Sequence, residues 1–192
     1  MAVTNLTYFY LKKRKTIIRF LIKFFVTYFL LVGIYSVYLK QTQQKGDVFS
    51  CAPITKTVAE HSKWFGELLG YDVALEQHDS ELSIKLIVDN IYVARVVEGC
   101  NAISVIILFL TFIIAFSGSI KATIIYGIIG TTFIYIVNVA RVFILSILMY
   151  KYPEYQSILH DLLFPAIIYG AVFLLWIIWV RRFSYLKKIK NE

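Results

Sequence analysis

Long apolar stretches with almost no charged residues are the feature that most limits how this chain can fold. Residues 101–120 contain no charge, and after Lys121 none occurs until Arg141. A helix of about 20 mostly apolar residues crosses the roughly 30 Å hydrocarbon layer of a bilayer. Over the whole chain 59% of residues are hydrophobic and 17% are charged, against about 45–50% and about 25% in a soluble domain. The sequence therefore predicts an integral membrane protein, and excludes a disordered chain.

Four stretches are long and apolar enough to be transmembrane helices: 16–39, 101–120, 122–149 and 162–180. The first begins like a signal peptide, but its apolar core is longer than usual and no Ala-x-Ala-like cleavage site follows, which favours an uncleaved signal-anchor. The expected fold is an all-α integral membrane protein with four transmembrane helices. A small α+β extracytoplasmic insert is expected between the first and second spans.

Basic residues cluster at both ends of the chain, at positions 12–15, 19 and 23 and at positions 181, 182, 187, 188 and 190. Lys and Arg in short flanking segments favour the cytoplasm, so both termini and Lys121 are expected there, which agrees with an even number of spans. Segments 40–99 and 150–161 would then lie outside, and 40–99 carries six basic and nine acidic residues. Because the basic clusters flank apolar stretches, they indicate topology and not a nucleic-acid surface.

These expectations divide the chain into five parts. Residues 1–15 would form a basic cytoplasmic N-terminus, 16–39 a transmembrane helix, and 40–99 an extracytoplasmic α+β segment. Residues 100–180 would form a three-helix membrane core that carries the site, and 181–192 a basic cytoplasmic tail.

The segment 40–99, which we call the lid, is too long for a simple connecting loop. Its apolar residues follow a 3.6-residue stripe over 54–69, which predicts an amphipathic helix. Strands are predicted at 82–88 and 91–97, joined by a two-residue turn at Asp89 and Asn90, and a further short strand is an option at 72–76. The lid is therefore expected to be a small α+β unit on the outer surface of the membrane.

Three polar residues are expected at one level, at the outer ends of three different spans. Arg141 lies about 29 Å along the third span at 1.5 Å per residue, Cys100 precedes the second span and His160 precedes the fourth. A nucleophilic cysteine needs a lowered thiol pKa, which a helix N-terminus or a nearby cation supplies. His160 could carry the proton to the leaving group, and Arg141 could hold the thiolate or an oxyanion. Asn138, on the same helix face, could orient Arg141 or donate a hydrogen bond.

Each of these residues also has a structural interpretation. Cys51 is expected outside as well, so a structural disulfide between Cys51 and Cys100 is an alternative. Arg141 could be an interfacial anchor whose guanidinium reaches the headgroups. His160 with Asp161 could be an ordinary loop pair or a helix cap.

No metal or cofactor is expected, because His61 and His78 in the lid have no partners at ligand spacing. A non-enzymatic assembly or binding partner, with a structural disulfide between Cys51 and Cys100, is the main alternative function. A small transporter fits less well, because four spans line a path only by oligomerising and charged residues inside the spans are nearly absent.

Three short motifs resemble those of the exosortase/archaeosortase transpeptidases, and they occur in the same order. The run Glu-Gly-Cys-Asn-Ala-Ile at 98–103 resembles the nucleophile motif of that family. The run Asn138-Val-Ala-Arg141-Val is similar to its Asn-x-x-Arg motif, and His160, followed by Gly170 in the final span, to its third catalytic position. The resemblance covers roughly residues 95–175, and the single span before the lid is similar to the short exosortase-F-like members.

The resemblance implies a bacterial inner-membrane cysteine protease-transpeptidase whose site faces outward. Its substrate would be a membrane-anchored exported protein with a C-terminal sorting signal, which consists of a short motif, a transmembrane helix and a basic tail. Cys100 would form the acyl-enzyme, which an acceptor nucleophile or water resolves. Arg141 and His160 would assist, with Asn138 and Asn101 in support.

Overall fold

The computed structural model describes residues 2–46, 49–116 and 118–183, with side chains from residue 14 onward except at 156 and 164. The chain is mostly helical. Its first half contains helices α1 (Ala2–Thr42) and α2 (Pro53–Leu68) and strands β1 (Val73–Gln77), β2 (Ser83–Val88) and β3 (Ile91–Val97). The second half contains helices α3 (Ile103–Ala115), α4 (Ile120–Lys151), α5 (Gln156–Ile158) and α6 (Phe164–Arg182). The basic residues at 187, 188 and 190 lie outside the described residues.

Within the described part of the chain, three helical stretches are long and apolar enough to cross a membrane: Arg14–Thr42, Ile120–Lys151 and Leu159–Arg182. They cover the first, third and fourth predicted spans. Many of their large apolar side chains are exposed, such as Phe29, Ile128 and Leu174. Such surfaces are favourable against lipid and costly against water, so the chain is a multi-pass membrane protein.

The stretch predicted as the second span forms a shorter helix than expected. Helix α3 has 13 residues, or about 20 Å at 1.5 Å per residue, which is less than the roughly 30 Å of hydrocarbon. It begins only at Ile103 because Ala102 has a φ of 63°, which no α-helical residue adopts. The side-chain oxygen of Asn101 accepts a hydrogen bond from the Ile103 N–H at 3.0 Å. Among the described residues, length and composition therefore mark three helices that could cross a membrane, and α3 falls short of the length.

Helices α3, α4 and α6 pack around a shared apolar core. Its fully buried members include Phe109, Ile113, Ile134, Ile168, Val172 and Trp179. A Cβ built on Gly130 of α4 would lie 2.2 Å from Cζ of Phe109, so only glycine lets the ring of α3 reach α4. Helix α1 also packs against α3, and at the end of α3 the rings of Phe20 and Phe116 lie 4.4 Å apart.

The lid contains a three-stranded antiparallel sheet in the order β1-β2-β3, with α2 packed on one face. Strands β2 and β3 form a hairpin whose turn residues Asp89 and Asn90 have φ values of 48° and 64°. A two-residue type I′ turn needs positive φ at both positions, which Asp and Asn tolerate. The pairing of β2 with β3 shifts between Leu86 and Ile87, so Val93 is the extra residue of a β-bulge.

The lid packs directly against the second half of α4. Val58 of α2, Leu86 of β2 and Val139 and Val142 of α4 are buried in one apolar cluster. Helix α4 has 32 residues, or about 48 Å, which exceeds the hydrocarbon thickness of roughly 30 Å. The helix is therefore long enough to cross the membrane and also to contribute side chains to the core of the lid.

Candidate active site

Cys100, Arg141 and His160 line a single cavity of about 500 Å³, which we call the cysteine cavity. Residues 92–96 of β3 form one wall and one face of α4 forms the other. Ligand pockets are commonly about 300–1,000 Å³, so the volume suits a bound molecule or peptide segment. The structure thus brings the three predicted catalytic residues together from three different elements.

Cys100 ends a three-residue 3₁₀ turn, Glu98–Cys100, that links β3 to α3. Its thiol is free and the residue is partly buried. The side-chain amide of Asn138, which is 1% exposed, donates a hydrogen bond of 2.6 Å to the backbone carbonyl oxygen of Cys100. From the sequence, Asn138 was expected either to orient Arg141 or to donate a hydrogen bond. In the structure, its side-chain amide donates a hydrogen bond to the backbone of Cys100.

Arg141 lies one turn of α4 beyond Asn138 and is partly buried. Among the described residues, its Nε is a buried donor with no hydrogen-bond partner. This buried nitrogen is out of reach of a bound molecule, but the Arg141 side chain lines the cavity, and a guanidinium carries five N–H donors in a fixed fork. The guanidinium is therefore suited to bind a carbonyl oxygen or an oxyanion inside the cavity.

His160 lies in a π-helical turn, Leu159–Leu163, that leads into α6. Pro165 in the first turn of α6 has no N–H to donate to the carbonyl four residues earlier, which accounts for the wider turn. The His160 side chain is 59% exposed, and its Nδ1 lies 2.8 Å from a carboxylate oxygen of Asp161. Gly170 lies further along α6 with no atom within 4 Å of a built Cβ, and it is not part of the cavity wall.

Glu98, which the sequence indicated only as the first residue of the motif at 98–103, fixes the turn that carries the cysteine. Glu98 accepts hydrogen bonds from the Ala52 N–H at 2.9 Å, the Thr55 hydroxyl and the Asn101 amide at 3.1 Å. Asn101, 1% exposed, also donates to the Tyr35 hydroxyl of α1 at 2.8 Å. The network therefore ties the start of α2 and the first long helix to the cysteine turn. Its members are up to 66 positions apart, so no local pattern could reveal it.

Cys51 does not form a disulfide with Cys100, because both cysteines are free in the structure. Cys51 is 1% exposed in the apolar core of the lid. Burial raises the pKa of the Cys51 thiol, and a hydrogen bond from Gln77 opposes that effect in part. A buried thiol with a raised pKa is a poor nucleophile, so Cys51 behaves as a small core residue.

A second cavity, of about 490 Å³, is lined by α2 and α4, and includes His61, Trp64 and Tyr135. Nδ1 of His61 lies 2.6 Å from the Tyr135 hydroxyl, so this histidine links the lid to α4. Within the described residues, no group of three or more His, Cys, Asp or Glu side chains could hold a metal ion.

The fold and the site together define a class of protein: a mostly helical, multi-pass membrane protein with a cysteine, an arginine and a histidine around one cavity. A family model described as transmembrane exosortase matches residues 6–180. The chain therefore belongs to the transmembrane exosortase family. No curated protein and no solved structure matches it.

Proposed function

We propose that this exosortase-family chain is a cysteine transpeptidase that cleaves the C-terminal sorting signals of exported membrane-anchored proteins. The observation that carries the proposal is the single cavity lined by Cys100, Arg141 and His160. Family membership supports the substrate class, because exosortases act on exported proteins with C-terminal sorting signals.

In the first half of the reaction, Cys100 acts as the nucleophile. Its thiol proton passes to His160 while Sγ bonds to the carbonyl carbon of the scissile peptide. The guanidinium of Arg141 stabilises the oxyanion that forms. When this intermediate collapses, the C–N bond breaks and His160 protonates the leaving amine. The exported protein remains as a thioester on Cys100, and the membrane helix of the sorting signal is released with a new N-terminus.

In the second half, an acceptor nucleophile or water attacks the thioester. His160 takes the proton of the attacking group and returns it to the Cys100 sulfur as the C–S bond breaks. Asp161 supports this role, because the Asp161 carboxylate can accept a hydrogen bond from an N–H at Nδ1 of His160. That arrangement leaves Nε2 free to exchange the transferred proton.

We further propose a four-span topology in a bacterial inner membrane, with both termini cytoplasmic and the site facing outward. The part boundaries are those expected from the sequence, with residues 100–180 as the three-helix membrane core. If α4 enters near Lys121, about 30 Å of hydrocarbon ends some 20 residues later, next to Arg141. Cys100 lies at the same level because Asn138 bonds to its carbonyl. The second crossing would consist of the short helix α3 together with its flanking turns.

The test compares exported proteins in cells that carry the natural chain or Cys100→Ala. Mass spectrometry of new C-termini identifies the proteins that lose a C-terminal membrane helix. With Cys100→Ala these proteins should keep their membrane helices, while the variant itself accumulates to a normal level in the membrane.

Cys51→Ala is the matched control, because it removes the other cysteine of the chain without altering the cavity. It should process exported proteins normally. Normal processing by Cys100→Ala would overturn the proposal. Equal loss of function in both variants would instead support a structural role for the two thiols.

A further inference from the structure

Among the residues that the structure describes, no strand lies beside the outer edge of β3. In the order β1-β2-β3 it pairs with β2 alone. Among the described residues, the backbone groups of 91–97 make no backbone hydrogen bond outside the sheet. The N–H and C=O groups on the outer edge of β3 are therefore available to pair with an added strand.

This free edge faces the cysteine cavity. Five consecutive residues of β3, 92–96, line the cavity. Successive side chains of a strand point to opposite faces of its sheet, so a cavity that touches all five lies along the strand edge. The facing wall includes Arg141, Val142 and Leu145, which share one face of α4. The cavity is therefore a groove between a strand edge and a helix.

The groove leads directly to the candidate nucleophile. Strand β3 ends at Val97 and the turn Glu98–Cys100 follows at once, so Cys100 lies at the C-terminal end of the strand. The bulge at Val93 bends the strand and separates a straight edge of residues 94–97 from its start. At about 3.3 Å per residue, that edge accommodates a segment of about four residues before the cysteine.

The direction of a bound substrate follows from its anchoring. In the proposed topology, β3 runs toward the membrane, because α3 enters the membrane immediately after Cys100. A sorting signal also runs toward the membrane, since its cleavage motif precedes its transmembrane helix. An extended substrate beside β3 must therefore run parallel to it.

We propose that the segment of the exported protein just before its transmembrane helix binds as a parallel fourth strand along residues 94–97 of β3. This inference rests on the transpeptidase function proposed above. Main-chain hydrogen bonds hold the segment, and its scissile carbonyl lies at the end of the added strand, next to Cys100. Recognition of this kind depends on backbone geometry first, and side-chain pockets add specificity.

Disulfide mapping tests both the pairing and its direction. The chain carries a single new cysteine, Tyr92→Cys or Arg95→Cys, in a background of Cys51→Ala and Cys100→Ala that retains uncleaved substrate. The partner is a substrate that was identified by comparing cells with the natural chain and cells with Cys100→Ala. Single cysteines are placed along the ten residues before the cleavage point of this substrate. Both β3 positions are exposed, so they should tolerate the change.

Parallel pairing predicts that Arg95→Cys links to substrate positions nearer the cleavage point than Tyr92→Cys does. The matched control is Ala74→Cys, an exposed residue on β1 at the opposite edge of the sheet, which should give no link above background. The reverse order of links, or equal links from Ala74→Cys, would overturn the proposal.

A second test removes single hydrogen-bond donors from the substrate. A synthetic peptide with the mapped cleavage segment and its membrane helix is cleaved by the purified full-length chain in nanodiscs. N-methylation at alternate backbone positions within four residues before the cleaved bond should lower kcat/KM about tenfold, as expected for one lost hydrogen bond. N-methylation ten residues upstream should change nothing.

The two tests separate this inference from the proposed function. If the peptide is cleaved at its natural bond and N-methylation lowers kcat/KM at no position, strand addition is wrong while the transpeptidase function stands. If Cys100→Ala cells process exported proteins normally, both proposals fail.

Discussion

The side-chain amide of Asn138 donates a hydrogen bond of 2.6 Å to the backbone carbonyl oxygen of Cys100. Asn138 is 1% exposed and lies in the middle of α4, whereas Cys100 ends the turn that follows β3. The bond therefore joins a membrane helix to the residue that we propose as nucleophile.

Replacing Asn138 with Ala should lower kcat about tenfold or more, while KM changes little. The substitution leaves a carbonyl without its donor, at a cost of about 1–3 kcal/mol, and frees the backbone that positions the thiol. Steady-state kinetics of the purified chain, with the peptide that carries the mapped cleavage segment as substrate, measure kcat and KM. Thr111→Val is the control, since the Thr111 hydroxyl is buried and, among the described residues, has no hydrogen-bond partner. An unchanged kcat in Asn138→Ala would show that the bond has no part in positioning Cys100.

The two cysteines should react very differently with a membrane-impermeant thiol reagent. The thiolate is the reactive form, and burial raises the pKa of Cys51, so its labelling should become appreciable only above the ordinary thiol range of about 8.5. Cys100 lines an open cavity and should label faster at neutral pH. Labelling rates of Cys51→Ala and Cys100→Ala across pH measure each thiol alone. Faster labelling of Cys51 at neutral pH would contradict the described burial.

His160→Gln should lower the processing rate by about 100-fold or more, because proton transfer by a positioned side chain contributes about 10²–10⁴. Asp161→Asn should have a smaller effect, about tenfold, since it weakens the orientation of His160 but leaves the imidazole present. Asp79→Asn is the comparison, because Asp79 pairs with Lys85 on the exposed lid surface at 2.9 Å. Processing at the natural rate in His160→Gln would exclude this histidine from the chemistry.

Glu98→Ala should lower the stability of the folded chain by about 1–3 kcal/mol, because it leaves buried donors without an acceptor. The donors that lose their acceptor are the Ala52 N–H and the Thr55 hydroxyl, whereas the Asn101 amide keeps the Tyr35 hydroxyl as a partner. Thermal unfolding of the purified protein measures the change as a lower Tm. Glu60→Ala removes an exposed carboxylate from α2 and should leave Tm nearly unchanged. Equal shifts in both variants would mean that the network does not stabilise the lid.

Gly130→Ala should destabilise the membrane core by about 1–3 kcal/mol, the usual cost of overpacking. A Cβ at this position would lie 2.2 Å from the Phe109 ring, which is itself fully buried. Gly33→Ala on α1 is the matched control, because nothing lies within 4 Å of its built Cβ. It should be neutral or slightly stabilising, since Ala favours helix more than Gly does. The order of the two Tm values decides whether α3 and α4 pack as described.

Local patterns in the sequence carry information about single elements. The apolar stripe predicted a helix at 54–69, and α2 occupies Pro53–Leu68. Alternation and the Asp89-Asn90 pair predicted two strands, and the structure has β2 at Ser83–Val88 and β3 at Ile91–Val97. These features depend on residues close together in the chain, so their physical causes are visible in the sequence.

Features that depend on distant residues could not be read in the same way. Composition predicted a second span of 20 residues, whereas α3 begins only at Ile103, after the positive φ of Ala102, and already ends at Ala115. The partners of Glu98 lie up to 46 positions away, and the groove requires β3 and α4 to be neighbours. Such contacts follow from how the elements pack, and packing has no local signature.

Val139 and Val142 of α4 belong to the same buried cluster as the interior of the lid, and this has a consequence for biosynthesis. During synthesis the lid emerges before α4. At that stage the apolar interior of the lid is not yet covered by the side chains of α4. Cys100 likewise precedes Arg141 and His160 by 41 and 60 positions. The nascent chain thus carries a thiol without its partners until α4 and the turn before α6 have been made. In the proposed mechanism, Cys100 therefore gains both of its assisting side chains only after the later helices have been inserted into the membrane.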